Sequence, residues 1–389
     1  MSTPQKPEDL TKEFLAQALE KEYGEEDALS VKSFQAKDAE VGVLSHVVFI
    51  DVHDDVHDDV HDDVHAVNQQ KQTIQKFVAK FLKPQFPLQH MFKVESHFYR
   101  HVRPKITSFQ VPRPIHTSNS MIMVEYVAAD HSYTVVEACP SDRVVPVVTR
   151  LGQMHAQFLD YQDNQLACPA GIGSSATGMM KETQFPDMWQ EFLQSIAPTI
   201  NDKAVVDRVS EICRDLSTRR LSLIHDDIYN HPLQTLIHGD FHVANMLFDD
   251  KDNTVWLFDW AACGRGHPLV DLAFFAIVSL DIPVRKAKEE EMLQAYHNAL
   301  AAETISLDDC RQLYRSCLLN QFLILVVYDH MARGLAQQAK KPEELTHHFN
   351  VVNARACHAL VDNFDHDLLP RLKTKEEAAV KAEEGDVGL

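Results

Sequence analysis

Apolar positions recur along this chain with two periods, one dominating early and the other late. Phe14, Leu15 and Leu19 make a helical stripe within Pro7 to Tyr23, with Thr11 placed to cap it. Strand-like runs follow at Leu29 to Phe34, Leu44 to Val52 and Thr73 to Leu82. The segment HMFKVESHFYRHV spaces Met91, Val94 and Phe98 on one helix face. Val111-Pro112 opens another strand pair, in which Met121 to Val127 is an unbroken apolar strand before the polar break AADHS. From Val144 the period becomes helical, in VVPVVTRLGQMHAQFLDYQ, Pro186 to Ile200 and Val205 to Leu216, and again in Glu289 to Leu300, Leu307 to Tyr328 and Leu345 to Leu369. A sheet-forming first third and a helical remainder predict an α+β protein in two parts.

Length agrees, since 389 residues supply two cores and exceed one ordinary domain. A formal charge of −20 argues against nucleic acid or an anionic membrane as the main partner. Seven cysteines, odd in number and without C-x-x-C spacing, suit buried thiols in a reducing compartment, not a disulfide framework or zinc site. No apolar run reaches membrane-spanning length, and MSTPQKPEDLTKEF has neither an apolar core nor a basic leader, so a cytoplasmic protein is expected. Asp51 to His65 is a tetrapeptide repeat, DVHDDVHDDVHDDVH, whose histidines and aspartates invite a metal-binding reading. Its even period and low apolar content predict instead a ribbon-like insertion between the second and third strands, without a catalytic role.

The chemistry concentrates between Leu236 and Phe275. Met246 to Phe248 and Val255 to Phe258 flank the polar turn DDKDN, the pattern of a short hairpin. Asp240 and Asn245 precede the first strand and Asp259 follows the second, so two carboxylates and an amide converge at one end. Convergent hard oxygens suit Mg²⁺, which takes its remaining ligands from water and substrate phosphates. Asp-x-x-x-x-Asn followed by a strand-end Asp is the layout of a kinase catalytic loop and its metal-binding strand.

HGDFHVANMLF, LFDW and HPLVDLAFF together resemble the aminoglycoside phosphotransferase and choline kinase superfamily, most of all its ecdysteroid-kinase-like branch. The resemblance implies a bilobal, protein-kinase-like fold, with a small N-terminal antiparallel sheet lobe carrying one main helix and a larger helical C-terminal lobe. Residues 1–127 would form the nucleotide-binding lobe, 128–375 the catalytic and acceptor-binding lobe, and 376–389 a charged tail. ATP and Mg²⁺ are the implied cofactors and a small-molecule hydroxyl the implied acceptor. Asp240 would be the catalytic base, Asn245 and Asp259 the metal ligands, and His238 and Asp271 braces of the loop. Gly42 and Ser45 would sit in a phosphate-covering turn that carries one glycine where protein kinases have three. Lys80, in FVAK, would hold phosphates and pair with Glu95; Lys76, Lys83 and Lys93 are the competing lysines, and Pro84 ends the strand after Lys83. Glu125 and Val127 would present their backbone to the adenine edge. His155 would be a core histidine, whereas His242 could reach the substrate or face solvent. The loop 161–185 would lie near the acceptor, and His225-Asp226-Asp227 reads as a loop.

Only AACGRGHPLV separates Asp259-Trp260 from Asp271, too little for a peptide-binding activation segment, and Gly239 stands where protein kinases carry an arginine. A small acceptor is therefore favoured over a protein. Sterols, choline-like amines, aminoglycoside-like sugars and hydroxy acids stay open, as does oligomeric state. The rival readings are an inactive kinase-like nucleotide binder and a His/Asp metal-dependent phosphohydrolase.

Overall fold

The structure, a computed structural model, describes residues 3–24, 31–39, 45–55, 72–83, 89–159, 161–166, 185–216, 223–224, 227–301, 305–336, 341–364, 370 and 372–377. The chain divides into two compact units, Met1–Lys105 with Val111–Ala129, and Ile106–Gln110 with Asp130–Leu389.

The first unit is an antiparallel sheet with helices. Thr11 accepts the Phe14 N–H through its Oγ1 at 3.1 Å and starts α1 (Lys12–Tyr23), as the sequence predicts. The strands β1 (Ser33–Asp38), β2 (Ser45–Asp55) and β3 (Gln72–Leu82), the helix α2 (Gln89–His101), and the strands β4 (Pro114–Thr117) and β5 (Met121–Glu125) follow. Their order in the sheet is β1-β2-β3-β5-β4. Val48, Ile50 and Val52 of β2, with Phe77, Ala79 and Phe81 of β3, point to one face and bury against Leu15 and Leu19 of α1. The first strand lies later than expected, running past Phe34 to Asp38. It is an edge strand with mostly exposed residues, so its bounds come from pairing with β2 and not from an apolar pattern. The repeat begins inside the sheet: Asp51 pairs with Lys76 and His53 with Ile74, while Val52 is fully buried. Residues 56–65 of the repeat fall outside the described residues. The strand expected over 121–127 ends at Glu125, and Tyr126 is 42% exposed.

The second unit is mainly helical. Its helices are α3 (Ser141–Gln157), α4 (Phe185–Ile196), α5 (Lys203–Asp215), α6 (Leu269–Ser279), α7 (Ile282–Leu300), α8 (Leu307–Ala336) and α9 (Pro342–Asn363). The sequence pattern did not mark α6, because almost every side chain in LVDLAFFAIVS is buried and such a helix shows no polar stripe. α7 starts before the expected Glu289, with Pro283 tolerated in its first turn. Among the described residues no helix is long and apolar enough to cross a membrane. Three short ladders support the loops: β7 (Thr235–Ile237) pairs with β10 (Gly264–Gly266), and β6 (His131–Ser132) pairs with β8 (Met246–Asp249), which pairs with β9 (Thr254–Leu257). The expected hairpin forms in register, Met246 opposite Leu257 and Asp249 opposite Thr254, with Asn253 at φ 49° in its turn. The acceptor-side loop expected at 161–185 lies outside the described residues from 167 to 184. Asp227 is helical, not in a loop, and pairs with Lys375, while His225 and Asp226 lie outside the described residues.

Candidate active site

The loop that follows β7 is held from behind by one carboxylate. Asp271, in the first turn of α6, accepts the His238 N–H at 2.6 Å and the Gly239 N–H at 2.9 Å, and its Oδ2 lies 3.3 Å from His155 Nε2. The Asp271 side chain is 1% exposed, so its charge is stabilised by these donors and not by water. Gly239 takes φ +79°, and a Cβ there would sit 2.2 Å from the Ala262 carbonyl oxygen. No side chain fits, which is a physical reason for glycine at this position. His238 Nε2 lies 3.0 Å from the Phe258 carbonyl oxygen, and its Nδ1 is 3.3 Å from the Asp240 N–H. The two contacts assign the proton to Nε2. Burial pushes the His238 pKa down against the opposing charges of Asp271 and Asp240, which keeps the ring neutral.

Asp240 and Asn245 meet directly. Asn245 Nδ2 donates to the Asp240 carbonyl at 2.9 Å and to Asp240 Oδ2 at 3.2 Å. The Asn245 carbonyl accepts the Phe258 N–H at 3.1 Å, which ties the loop to the end of the hairpin where Asp259 begins. Asp259 adopts a left-handed backbone, φ 60° and ψ 65°, a conformation that aspartate tolerates better than most residues. Its charge acts on both His238 and His242.

His242, whose position the sequence left open between substrate and solvent, is only 17% exposed and lies 3.4 Å from Asp240 Oδ2. The surrounding protein disfavours charge on Asp240. His242's charge and hydrogen bond, followed by His238 and the Asn245 amide, outweigh that and hold the carboxyl well below its usual range. In the same way burial opposes charge on His242, yet Asp240 and Asp259 raise its pKa.

In the first unit, Lys80 Nζ lies 3.0 Å from Glu95 Oε2, with the glutamate side chain 3% exposed. Ser45 opens β2, and by strand alternation it shares the Lys80 face. That face also carries two groups that the motifs did not single out. Phe49 stands opposite Val78 in the ladder, 39% exposed, with Tyr126 edge-on at 5.9 Å between ring centroids. The period-2 pattern alone would have put Phe49 beside Lys80, whereas Tyr126 follows the end of β5 and carries no such signal. The Glu125 N–H is donated to the Arg113 carbonyl at 2.9 Å and the Arg113 N–H to Glu125 Oε1 at 2.8 Å, so that amide is committed to the sheet. Val127 lies two residues beyond β5. Gly42 lies outside the described residues. No group of three or more His, Cys, Asp or Glu side chains that could hold a metal occurs among the described residues.

His267, beside β10, accepts the Leu269 N–H at Nδ1, 3.3 Å away, so its proton sits on a buried Nε2 without a hydrogen-bond partner. Burial, then the charges of His231 and His155, push its pKa down to about 3. A ring that stays neutral when folded but takes a proton when unfolded below about pH 6.5 makes stability fall as pH drops through that range. We expect urea unfolding of His267→Asn, whose Oδ1 can replace Nδ1, to lose about 2 kcal/mol less than the parent between pH 7 and pH 5. Parallel pH dependences in the two proteins would contradict the assignment.

The sequence matches the Ecdysteroid kinase-like family over residues 59–308. A choline kinase structure from Cryptosporidium parvum aligns with a TM-score of 0.57 at 10% identity, over 93% of this chain and 99% of that chain. The fold is therefore that of the protein-kinase-like small-molecule kinases, with an N-terminal antiparallel sheet and a larger helical part. Acyl-CoA dehydrogenase family member 11 of Pongo abelii and that of Homo sapiens are each 28% identical over 183 residues, 43% of this chain. The aligned part is 21% of those relatives, so this chain spans about a fifth of their length. With the family match covering well over half of its residues, this chain belongs to the ecdysteroid kinase-like family.

Proposed function

We propose that this protein is a small-molecule kinase that transfers the γ-phosphate of ATP to a hydroxyl group of a small metabolite. The observation that carries this reading is the Asp240–Asn245 contact at 3.2 Å, on a loop whose Asn245 carbonyl is bonded to the residue before Asp259. Asp240, 40% exposed and strongly biased to its ionised form, is the base that orients the acceptor hydroxyl and takes its proton.

The donor set fits Mg²⁺. The Asn245 amide nitrogen is tied to Asp240, leaving Oδ1 as its hard ligand, and Asp259 adds a carboxylate. Bound there, Mg²⁺ supplies charge neutralisation for the phosphate oxygens. Lys80 holds the α- and β-phosphates while Glu95 fixes its ammonium group. Phe49 and Tyr126 offer the nucleotide base an apolar surface on the Lys80 face; with the Glu125 N–H committed, Val127 supplies the N–H to the base edge and Glu125 its carbonyl. Gly42 and Ser45 belong to the phosphate-covering turn. Residues 1–127 form the nucleotide-binding lobe and 128–375 the catalytic and acceptor-binding lobe. A cytoplasmic setting agrees with ATP as donor and with the six buried cysteines among the described residues.

The test is a screen of sterols, choline-like amines, aminoglycosides and hydroxy acids for Mg-ATP-dependent phosphorylation, with Asp240→Asn as the blank. Product formed equally by parent and blank sinks the assignment. For Lys80→Ala we expect the KM for ATP to rise at least about tenfold, the loss of one charge-assisted hydrogen bond. An unchanged KM would transfer the phosphate role to another lysine.

A further inference from the structure

Tyr296 lies on α7, outside every motif that marks the site, yet it ends a hydrogen-bonded chain that begins at the catalytic loop. Its hydroxyl is 2.6 Å from His155 Nδ1; His155 Nε2 is 3.3 Å from Asp271 Oδ2; and Asp271 holds the His238 and Gly239 amides. Tyr296, His155 and Asp271 are all fully buried. The approach is built into the packing of α3 on α7. Gly152 lies against the Tyr296 carbonyl so closely that a Cβ there would come to 2.7 Å, one turn before His155. The C-terminal end of α3 is fixed as well, because Thr235 Oγ1 of β7 donates to the His155 carbonyl at 2.7 Å.

The direction of the chain follows from what each group can give. Ionised Asp271 only accepts, so His155 must present its proton at Nε2. A neutral imidazole then has only a lone pair at Nδ1, and the Tyr296 O–H is its donor. Burial pushes the phenol pKa well up, so Tyr296 remains an O–H donor across the working pH range.

We propose that Tyr296 is a positioning residue for the Asp240 loop: its hydroxyl meets the lone pair of His155 Nδ1 and so holds the ring where Nε2–H donates to Asp271, the carboxylate that grips the His238 and Gly239 amides. This rests on the reading of Asp240 as the base. Without the hydroxyl, Nδ1 is a buried acceptor lacking a partner, and the ring relieves it by turning away from its place against Asp271. That movement weakens the Nε2–H donor to Asp271 and loosens the carboxylate's hold on the loop.

Amide hydrogen exchange on the full chain tests this without any acceptor, reading the peptide that covers residues 236–241. In Tyr296→Phe its exchange should quicken about tenfold beyond what the change in global stability, measured by urea unfolding, accounts for. Tyr314→Phe is the control. It removes another buried hydroxyl, bonded to Glu289 at 2.8 Å, and should change this peptide only in step with global stability. Adding His155→Gln to Tyr296→Phe should restore protection, because glutamine keeps an N–H for Asp271 on a side chain that need not aim an acceptor at position 296. Exchange of the peptide that follows global stability in Tyr296→Phe overturns the proposal, as does a double variant no better protected than Tyr296→Phe. Neither result depends on phosphoryl transfer, so an inactive protein would leave it standing or falling by itself.

Discussion

Asp240→Asn is expected to lower phosphoryl transfer by about 10²–10⁴-fold while leaving the KM for ATP within about threefold. The new amide is nearly isosteric and its oxygen still accepts from Asn245 Nδ2, so the loop geometry survives. What disappears is the carboxylate that the proposed function assigns as proton acceptor. A second consequence appears in the free protein. His242 owes its raised pKa to Asp240 against the effect of burial, so removing that charge should bring the imidazole pKa down, measurable by NMR titration. Retained turnover, with the product traced to this protein, would assign the proton transfer elsewhere.

Asp271→Ala is expected to cost at least about 3 kcal/mol in unfolding free energy, or to prevent folding of the helical unit. Three donors lose their acceptor at once, two of them buried and one partly so: the His238 N–H, His155 Nε2 and the Gly239 N–H. Each unmet buried donor costs about 1–3 kcal/mol, and domains are stable by only about 5–15 kcal/mol. Asp271→Asn should fall between the two, since it keeps one carbonyl oxygen but sets an NH₂ group against the remaining donors. Urea unfolding within about 0.5 kcal/mol of the parent for Asp271→Ala would show that the loop is held by something else.

The two residues illustrate different kinds of legibility. Asp240, Asn245 and Asp259 could be read because their spacing is local: a short hairpin must return the chain to its starting end, whatever surrounds it. The bounds of β3, and the helix that presents Glu95 to Lys80, could be read for a similar reason, since strand alternation and helix periodicity are short-range. The bounds of β1 are not legible in the sequence, because an exposed edge strand has no apolar alternation to reveal it. The α6 helix carries no such signal, because its burial on almost every side erases the polar stripe that marks a surface helix.

Motif order along the chain also determined the family, since the His-Gly-Asp, Asn, Asp and Asp-Leu-Ala elements fall in sequence within 40 residues. Tertiary structure alone decided what stands behind that motif. His155, Asp271 and Tyr296 are separated by more than a hundred residues at the widest and meet only because Gly152 lets two helices touch. Likewise His242 became a partner of Asp240 through burial and charge, which no spacing rule expresses. Sequence fixes what neighbours along the chain can do, whereas hydrogen-bond partners of buried polar groups are chosen by whichever elements pack around them.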